Sequence, residues 1–364
     1  MIGGVASRRA RWAALTLACW LCAPLCPVSV RAQGAVADSQ AGPRKPPNPR
    51  LFRSEEPLSV TLSLNLRQIK RDKGNDTPWR NATIRYVDAG GKPVEVPLRV
   101  RTRGVWRLNH CDFPPLRLRF GDKAADGTLF ANLERPKLVT YCRNADNYES
   151  YVLQEAQLYR ILRVLTDASF KVRLLRIAYA DSASGKVETT RYSFIIEDPD
   201  HLAERLGGKI FDRQGATADD LMPGPTALMH TFLYFIANTD IAVRTLHNVE
   251  IITMPDGQNV PVPYDFDMSG VINAAYAGVD PKLPIKNVRI RLFRGFCDHE
   301  PAYATAFDLF RERRPAIEAL YSDAVGQLLS PTTVRSTLKY FGEFYEDIAT
   351  PESVRKRLFA DCVK

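Results

Sequence analysis

Apolar and polar residues alternate with a period of two through much of the first half of the chain. Such alternation at 59–66, 94–102 and 116–120 predicts strands, because successive side chains of a strand point to opposite faces. Ala89-Gly90-Gly91 supplies a hairpin turn before the second of these. Residues 136–141, 171–179 and 191–197 predict further strands, the last two separated by a turn at 182–185. A helical spacing runs over 147–165, with Asn144 or Asp146 as its cap. Helical patterns return at 225–237 and over most of 302–360. Between them, 249–253 and 260–264 read as a short hairpin turning through Pro255, Asp256 and Gly257. A strand-rich segment 51–200 followed by a helix-rich segment 201–364 is an α+β plan with two lobes.

The N-terminus reads differently. Arg8, Arg9 and Arg11 precede an apolar run from Trp12 to about Val30, and Val30-Arg31-Ala32 offers a small-residue cleavage site. This is the pattern of a secretory signal peptide over residues 1–32, with a retained anchor as the alternative reading. Residues 33–50, rich in Ala, Gly, Pro and charge, read as a flexible leader. The expectation is an exported protein, periplasmic or secreted, with no transmembrane segment once the signal is cleaved.

Residues 1–32 contain four arginines and no acid, so their loss lowers the formal charge from +9 to +5. That mild basicity favours anionic partners, but no long Lys/Arg run marks a nucleic-acid arm. Of seven cysteines, Cys111, Cys142, Cys297 and Cys362 lie beyond the signal. An even number in an exported chain predicts two disulfides. Three pairings are possible, and Cys111–Cys142 with Cys297–Cys362 is favoured because each would staple one half of the molecule. No Cys-x-x-Cys or close Cys/His pair supports a zinc site.

The hairpin concentrates candidate chemistry. Asn248 stands at its entry, and Asp265 and Asp267 stand at its exit. An antiparallel reversal brings these ends together, and hard oxygen donors so gathered suit Mg²⁺ carrying nucleotide phosphates. Asn and Asp are also ordinary turn residues, so a hairpin with polar ends is the plain alternative.

The run 98–104 places Arg99, Arg101 and Arg103 on one face of a strand, and 116–120 repeats the device with Arg117 and Arg119. Two strands that each carry a wholly basic face repel unless they are solvated or given an anion. Arg99 and Arg117 read as solvent-facing. Arg101, Arg103 and Arg119, near turns and Gly104, read as phosphate contacts, since the guanidinium fork fits phosphate oxygens. Glu155 falls in the middle of the apolar face formed by Tyr151, Val152, Leu158, Tyr159 and Leu162. There it needs a cation, with Lys137 the first candidate and Arg119 its rival, or a path by which it snorkels to water. Asp240, in Asn238-Thr239-Asp240, is a candidate catalytic acid or a simple turn cap. His247 reads as a structural hydrogen-bonding residue. No nucleophile elbow, Walker A loop or Gly-x-Gly-x-x-Gly occurs, and no serine-hydrolase triad is supported.

In order, the chain shows Arg103-Gly104, Pro114-Pro115-Leu116-Arg117-Leu118-Arg119-Phe120, a Glu-bearing helix, Asn238-Thr239-Asp240, His247-Asn248 and Pro263-Tyr264-Asp265-Phe266-Asp267. This order resembles the spore-coat protein H (CotH) family of secreted atypical kinases over roughly residues 95–270. The run from Cys111 to Leu116 and the Tyr-Asp-Phe-Asp segment look even more like a group of exported bacterial proteins. The resemblance implies a two-lobed protein-kinase-like fold and phosphoryl transfer from ATP to a protein or envelope acceptor with Mg²⁺ or Mn²⁺. It makes Asp240 the catalytic-loop acid and Asn248 and Asp265 the metal ligands, with Asp267 a second. Two positions depart from the family pattern. Val105 and Trp106 follow Gly104 where the family has Asn-Ser, and Arg117 and Arg119 replace the expected strand lysine. Three function classes therefore stand at this stage: an exported phosphotransferase, a non-catalytic pseudokinase-like binding module of the envelope, and a metal-dependent hydrolase using Asp240, Asp265 and Asp267.

Overall fold

A computed structural model describes residues 49–363 apart from 74, 75 and 105. The signal peptide and nearly all of the leader therefore lie outside the described residues. The described residues belong to one compact unit.

The strands are β1 (Leu58–Leu64), β2 (Arg80–Val87), β3 (Pro93–Thr102), β4 (Leu116–Phe120), β5 (Lys137–Val139), β6 (Val172–Asp181), β7 (Val187–Ile196), β8 (Lys209–Ile210), β9 (Val249–Thr253) and β10 (Asn259–Pro263). The helices are α1 (Leu66–Arg71), α2 (Trp106–His110), α3 (Asp122–Ala125), α4 (Asp146–Leu165), α5 (Pro199–Leu206), α6 (Pro223–Ile236), α7 (Glu300–Ala319), α8 (Pro331–Asp347) and α9 (Pro351–Arg357).

The two-lobed kinase-like plan does not hold. The first seven strands close into a barrel in the order β1-β2-β3-β4-β5-β7-β6. Closure comes from β1 pairing parallel to β6, from Leu58 opposite Leu175 to Leu64 opposite Asp181. The other neighbours are antiparallel. Closure removes both sheet edges and so satisfies backbone groups that an open sheet would leave unpaired. The alternation is what permits it: in β3, Val96, Leu98 and Val100 are buried while Pro97 and Arg99 are exposed. A second, three-stranded sheet has the order β10-β9-β8.

Most predicted elements fall where the alternation puts them, with local differences. The predicted cap of α4 is not used. Ala145 occupies the N-cap without a side-chain bond, and the Asn144 Oδ1 instead accepts from Thr189 and Arg191. Asp146 pairs with Arg191 at 2.7 Å.

Helix α6 is apolar on nearly every side and is buried from Met229 to Ile236. A helix with that composition belongs in the core. Its Phe235 ring stacks on Phe341 of α8 at 4.1 Å and meets Phe310 of α7 at 5.2 Å. Helix α4 packs on β7 and α7, so the barrel and the C-terminal helices share one core. Both favoured disulfides are present, Cys111–Cys142 and Cys297–Cys362. Among the described residues no helix is long and apolar enough to cross a membrane.

Gly270 anchors the loop that follows the hairpin. Its N–H donates to Ala237 O at 2.9 Å, and a Cβ there would meet Val288 O at 2.1 Å and Ala237 Cβ at 2.8 Å. Backbone atoms cannot swing aside as a side chain can. Gly270→Ala is expected to cost about 1–3 kcal/mol, the range for overpacking a filled site. Urea unfolding measures it; an unchanged midpoint would mean that the 237 and 288 segments separate freely.

Candidate functional site

The β9–β10 hairpin brings its two ends together as its pattern predicts. Tyr264 N–H donates to Asn248 O at 2.9 Å. Asn248 and Asp265 both adopt left-handed backbone, with φ of 55° and 63°. Asn and Asp tolerate that region better than other non-glycine residues, but it is strained and persists only where the surroundings impose it.

At Asp265 helix α4 imposes it. Glu155 and Tyr159 lie four residues apart, hence on one helical face. The Tyr159 hydroxyl accepts from Asp265 N–H at 2.8 Å, and the Glu155 carboxylate accepts from Phe266 N–H. The Phe266 ring is fully buried, packed against Tyr159 at 4.6 Å and Phe232 at 5.3 Å. An apolar anchor between two aspartates thus turns both carboxylates toward the same region from either side of a fixed ring.

Three acids consequently crowd together, and their electrostatics record it. Glu155 is 2 % exposed, and its Oε1 has no hydrogen-bond partner. Burial, then Asp267 and Asp265, push its pKa well above the ordinary range, against the pull of Arg107. Burial and Asp265 raise Asp267 from 3.8 to about 6, opposed by Arg107 and by a hydrogen bond from the Tyr276 hydroxyl. Asp240 also acts on Asp267. Its Oδ1 lies 3.0 Å from His247 Nε2, which agrees with a hydrogen-bonding role for that histidine. The Asn248 Nδ2 donates to Asp240 O at 2.7 Å and to Asp240 Oδ2 at 3.1 Å. With Nδ2 committed to Asp240, Oδ1 is the atom that Asn248 can offer a cation.

The cations facing these acids differ in part from those expected. Arg103, just after β3, is within the field of Asp265 and Glu155. Arg107 on α2 is the main cation acting on Glu155 and lies 4.0 Å from Asp267 Oδ2. Burial works against its charge, but Tyr276, Asp267, Glu155 and Asp265 together raise its pKa. Lys137 forms no ion pair with Glu155. It lies over the Tyr264 ring at 4.6 Å, and burial with Arg103 and Arg117 lowers its pKa to about 8 while Asp265 and Glu250 resist. Arg101 and Arg119 do not join the site. They stand on the outer face of the barrel beside Trp79.

Arg107 and Tyr276 are the contributors that sequence patterns missed. Arg107 follows Arg103 by four residues, and the Cys111–Cys142 bridge secures α2 to the segment after β5. That spacing and tether were the available signals. Tyr276 belongs to an aromatic ledge with Trp106 at 5.5 Å, Tyr151 at 6.0 Å and Tyr148 at 6.2 Å.

Among the described residues no three His, Cys, Asp or Glu side chains gather closely enough to cage a metal ion. The donors present are all oxygen, and the orphaned Glu155 Oε1 is a buried acceptor without a partner. This chemistry fits a hard cation held by one or two carboxylates and completed by ligand phosphates and water, rather than an all-protein site. No family model matches the chain, and no curated protein matches it either.

Proposed function

We propose that this protein is a metal-assisted phosphotransferase that takes a nucleoside triphosphate, ATP in the expected case, and passes a phosphoryl group to a protein or envelope acceptor. The observation that carries the reading is a face of acids, the buried Asp267 and Glu155 with the half-buried Asp265, opposite Arg103, Arg107 and Lys137. Phosphoryl transfer asks for little covalent chemistry and much fixed charge of both signs. The reading rests on this local arrangement, since barrel closure sets aside a kinase-like plan.

On this reading Asp265, Asp267 and the Asn248 Oδ1 would hold Mg²⁺ or Mn²⁺, which when bound would neutralise phosphate charge. Lys137 and Arg103 bind the phosphate oxygens. The lowered Lys137 pKa means that an arriving phosphate favours its ammonium form. Asp240, oriented by His247 and Asn248, accepts the proton of the acceptor hydroxyl as the oxygen attacks. The same reading puts the protein outside the cytoplasm, in keeping with its two disulfides.

Thermal melting tests it. ATP and MgCl₂ together are expected to stabilise the protein, by about 2.7 kcal/mol at a hundredfold excess over Kd, whereas each alone has little effect. Asp265→Ala should abolish the shift. If the wild-type protein shows no response to the pair, the proposal ends. A non-catalytic binding module is the second reading, favoured by the absence of a three-acid cage among the described residues. It predicts nucleotide binding without turnover, and an Asp240→Ala protein indistinguishable from wild type.

A further inference from the structure

The outer wall of the barrel carries four arginines in two directly opposed pairs. In register across β3 and β4, Arg99 faces Arg119 and Arg101 faces Arg117. Like charges directly opposite on one sheet face are destabilising. An ordinary solvent face relieves this by mixing signs, and here the relief is slight. Arg101 lies 4.9 Å from the Trp79 ring centroid and 4.0 Å from the fully exposed Asp76 carboxylate. Arg117 donates to Arg135 O at 3.2 Å and has Asp198 as the acid acting on it. The neighbouring Arg85 is engaged by Glu95 at 2.6 Å. Among the described residues, Arg99 and Arg119 have no acidic side chain within 4.0 Å, and Arg119 has only the Trp79 ring at 6.0 Å. A groove of about 930 Å³ lies over this pair, lined also by Ser63, Asn81, Thr83 and Ser182. None of the acids assigned to phosphoryl transfer lines it; the one carboxylate in its lining, Asp181, has its Oδ1 engaged by Ala183 N–H, Ser184 N–H and the Ser184 hydroxyl.

We propose that this wall binds a linear carboxylated polysaccharide. The guanidinium fork pairs with carboxylates two bonds at a time. Neighbouring strands are about 4.8 Å apart and alternate residues of one strand about 6.8 Å apart, so the arginines form a ladder rather than a point site. A chain with one charge per sugar or per pair of sugars can follow it. The half-buried Trp79 ring, with the Arg101 guanidinium 4.9 Å from its centroid, orients that cation on the wall, and the hydroxyl and amide side chains of the groove match sugar hydroxyls. Two disulfides indicate an oxidising compartment, where acidic glycans rather than nucleic acids are the polyanions at hand.

The experiment is calorimetric titration of the purified protein with an alginate oligosaccharide, a neutral cello-oligosaccharide of equal length and a single-stranded DNA oligonucleotide. Alginate is expected to bind with an affinity that falls as salt rises, and the neutral sugar not at all. Arg99→Glu with Arg119→Glu should weaken alginate binding at least tenfold with a melting temperature close to that of wild type, because one opposed like-charge pair replaces another. The milder Arg99→Gln with Arg119→Gln supplies the same comparison if the reversed charges prevent folding. Trp79→Ala should weaken binding several-fold. Arg335→Glu on α8 and Asp265→Ala should leave it unchanged, which separates this wall from the phosphoryl-transfer site. Absence of alginate binding at low salt overturns the proposal, as does equal affinity in the glutamine pair. DNA bound as tightly as alginate overturns it in favour of a nucleic-acid surface.

Discussion

Arg107→Ala is expected to destabilise the protein by about 3–5 kcal/mol at neutral pH, the cost of removing one partner from a buried charge group. The Arg107 side chain is 14 % exposed, lies 4.0 Å from Asp267, and donates to the Thr140 carbonyl. Without it, Glu155 and Asp267 lose the cation that most opposes their raised pKa values. The variant offers its own control. Acidification protonates Asp267 and removes the charge that Arg107 was balancing, so the deficit should shrink between pH of about 7 and about 5. Urea unfolding of both proteins at the two pH values measures this. An equal deficit at both would assign Arg107 to packing and to the Thr140 hydrogen bond alone.

Asp267→Asn is expected to move two measurements in opposite directions. Burial and the Asp265 charge raise the Asp267 pKa from 3.8 to about 6. Between those values the folded protein keeps a proton that the unfolded chain has released. Stability therefore falls as pH rises through the window, and above it the fold bears the whole cost, about 3 kcal/mol. Asparagine keeps the shape without the charge. At pH 7 the variant should be up to about 3 kcal/mol more stable than wild type, and between pH of about 4 and 6 its stability should lack this slope. Its melting response to ATP with MgCl₂ should meanwhile fall at least tenfold in apparent affinity. Such a trade marks a group retained for what it binds rather than for what it stabilises. A variant less stable than wild type at pH 7 would show that the Arg107 contact outweighs desolvation, and the site would then be a structural ion network.

What could be read from the chain follows the range of the interactions involved. Strands β3, β4 and β10, helices α4 and α6, and both disulfides depend on local periodicity or on cysteine number. The convergence of Asn248 with Asp265 and Asp267 was legible because a hairpin is the shortest route by which a chain returns on itself. Glu155 was legible as an anomaly on an apolar face. Barrel closure was not, since β1 meets β6 across more than a hundred residues and nothing in either strand names its partner. The parallel pairing gives no turn signal. The Glu155 partner was mistaken for a related reason. Lys137 is the cation on the strand that precedes the helix, but its side chain is taken up over Tyr264, and Arg107 reaches the acid from a five-residue helix too short to show periodicity. Arg101 and Arg119 group with Arg103 in the sequence because alternation tells which residues share a face, and not which face is the outer one.

The Cys297–Cys362 bond spans 65 residues and encloses α7, α8 and α9. Alongside it, Cys297 N–H donates to Val363 O and Val363 N–H donates to Gly295 O, each within 2.9 Å. The segment α7–α9 is thus a knotless lasso whose closing residues, Cys362 and Val363, are sewn back to its own base. A protease that nicks the segment anywhere inside leaves two fragments that still migrate as one species until a thiol reductant is added.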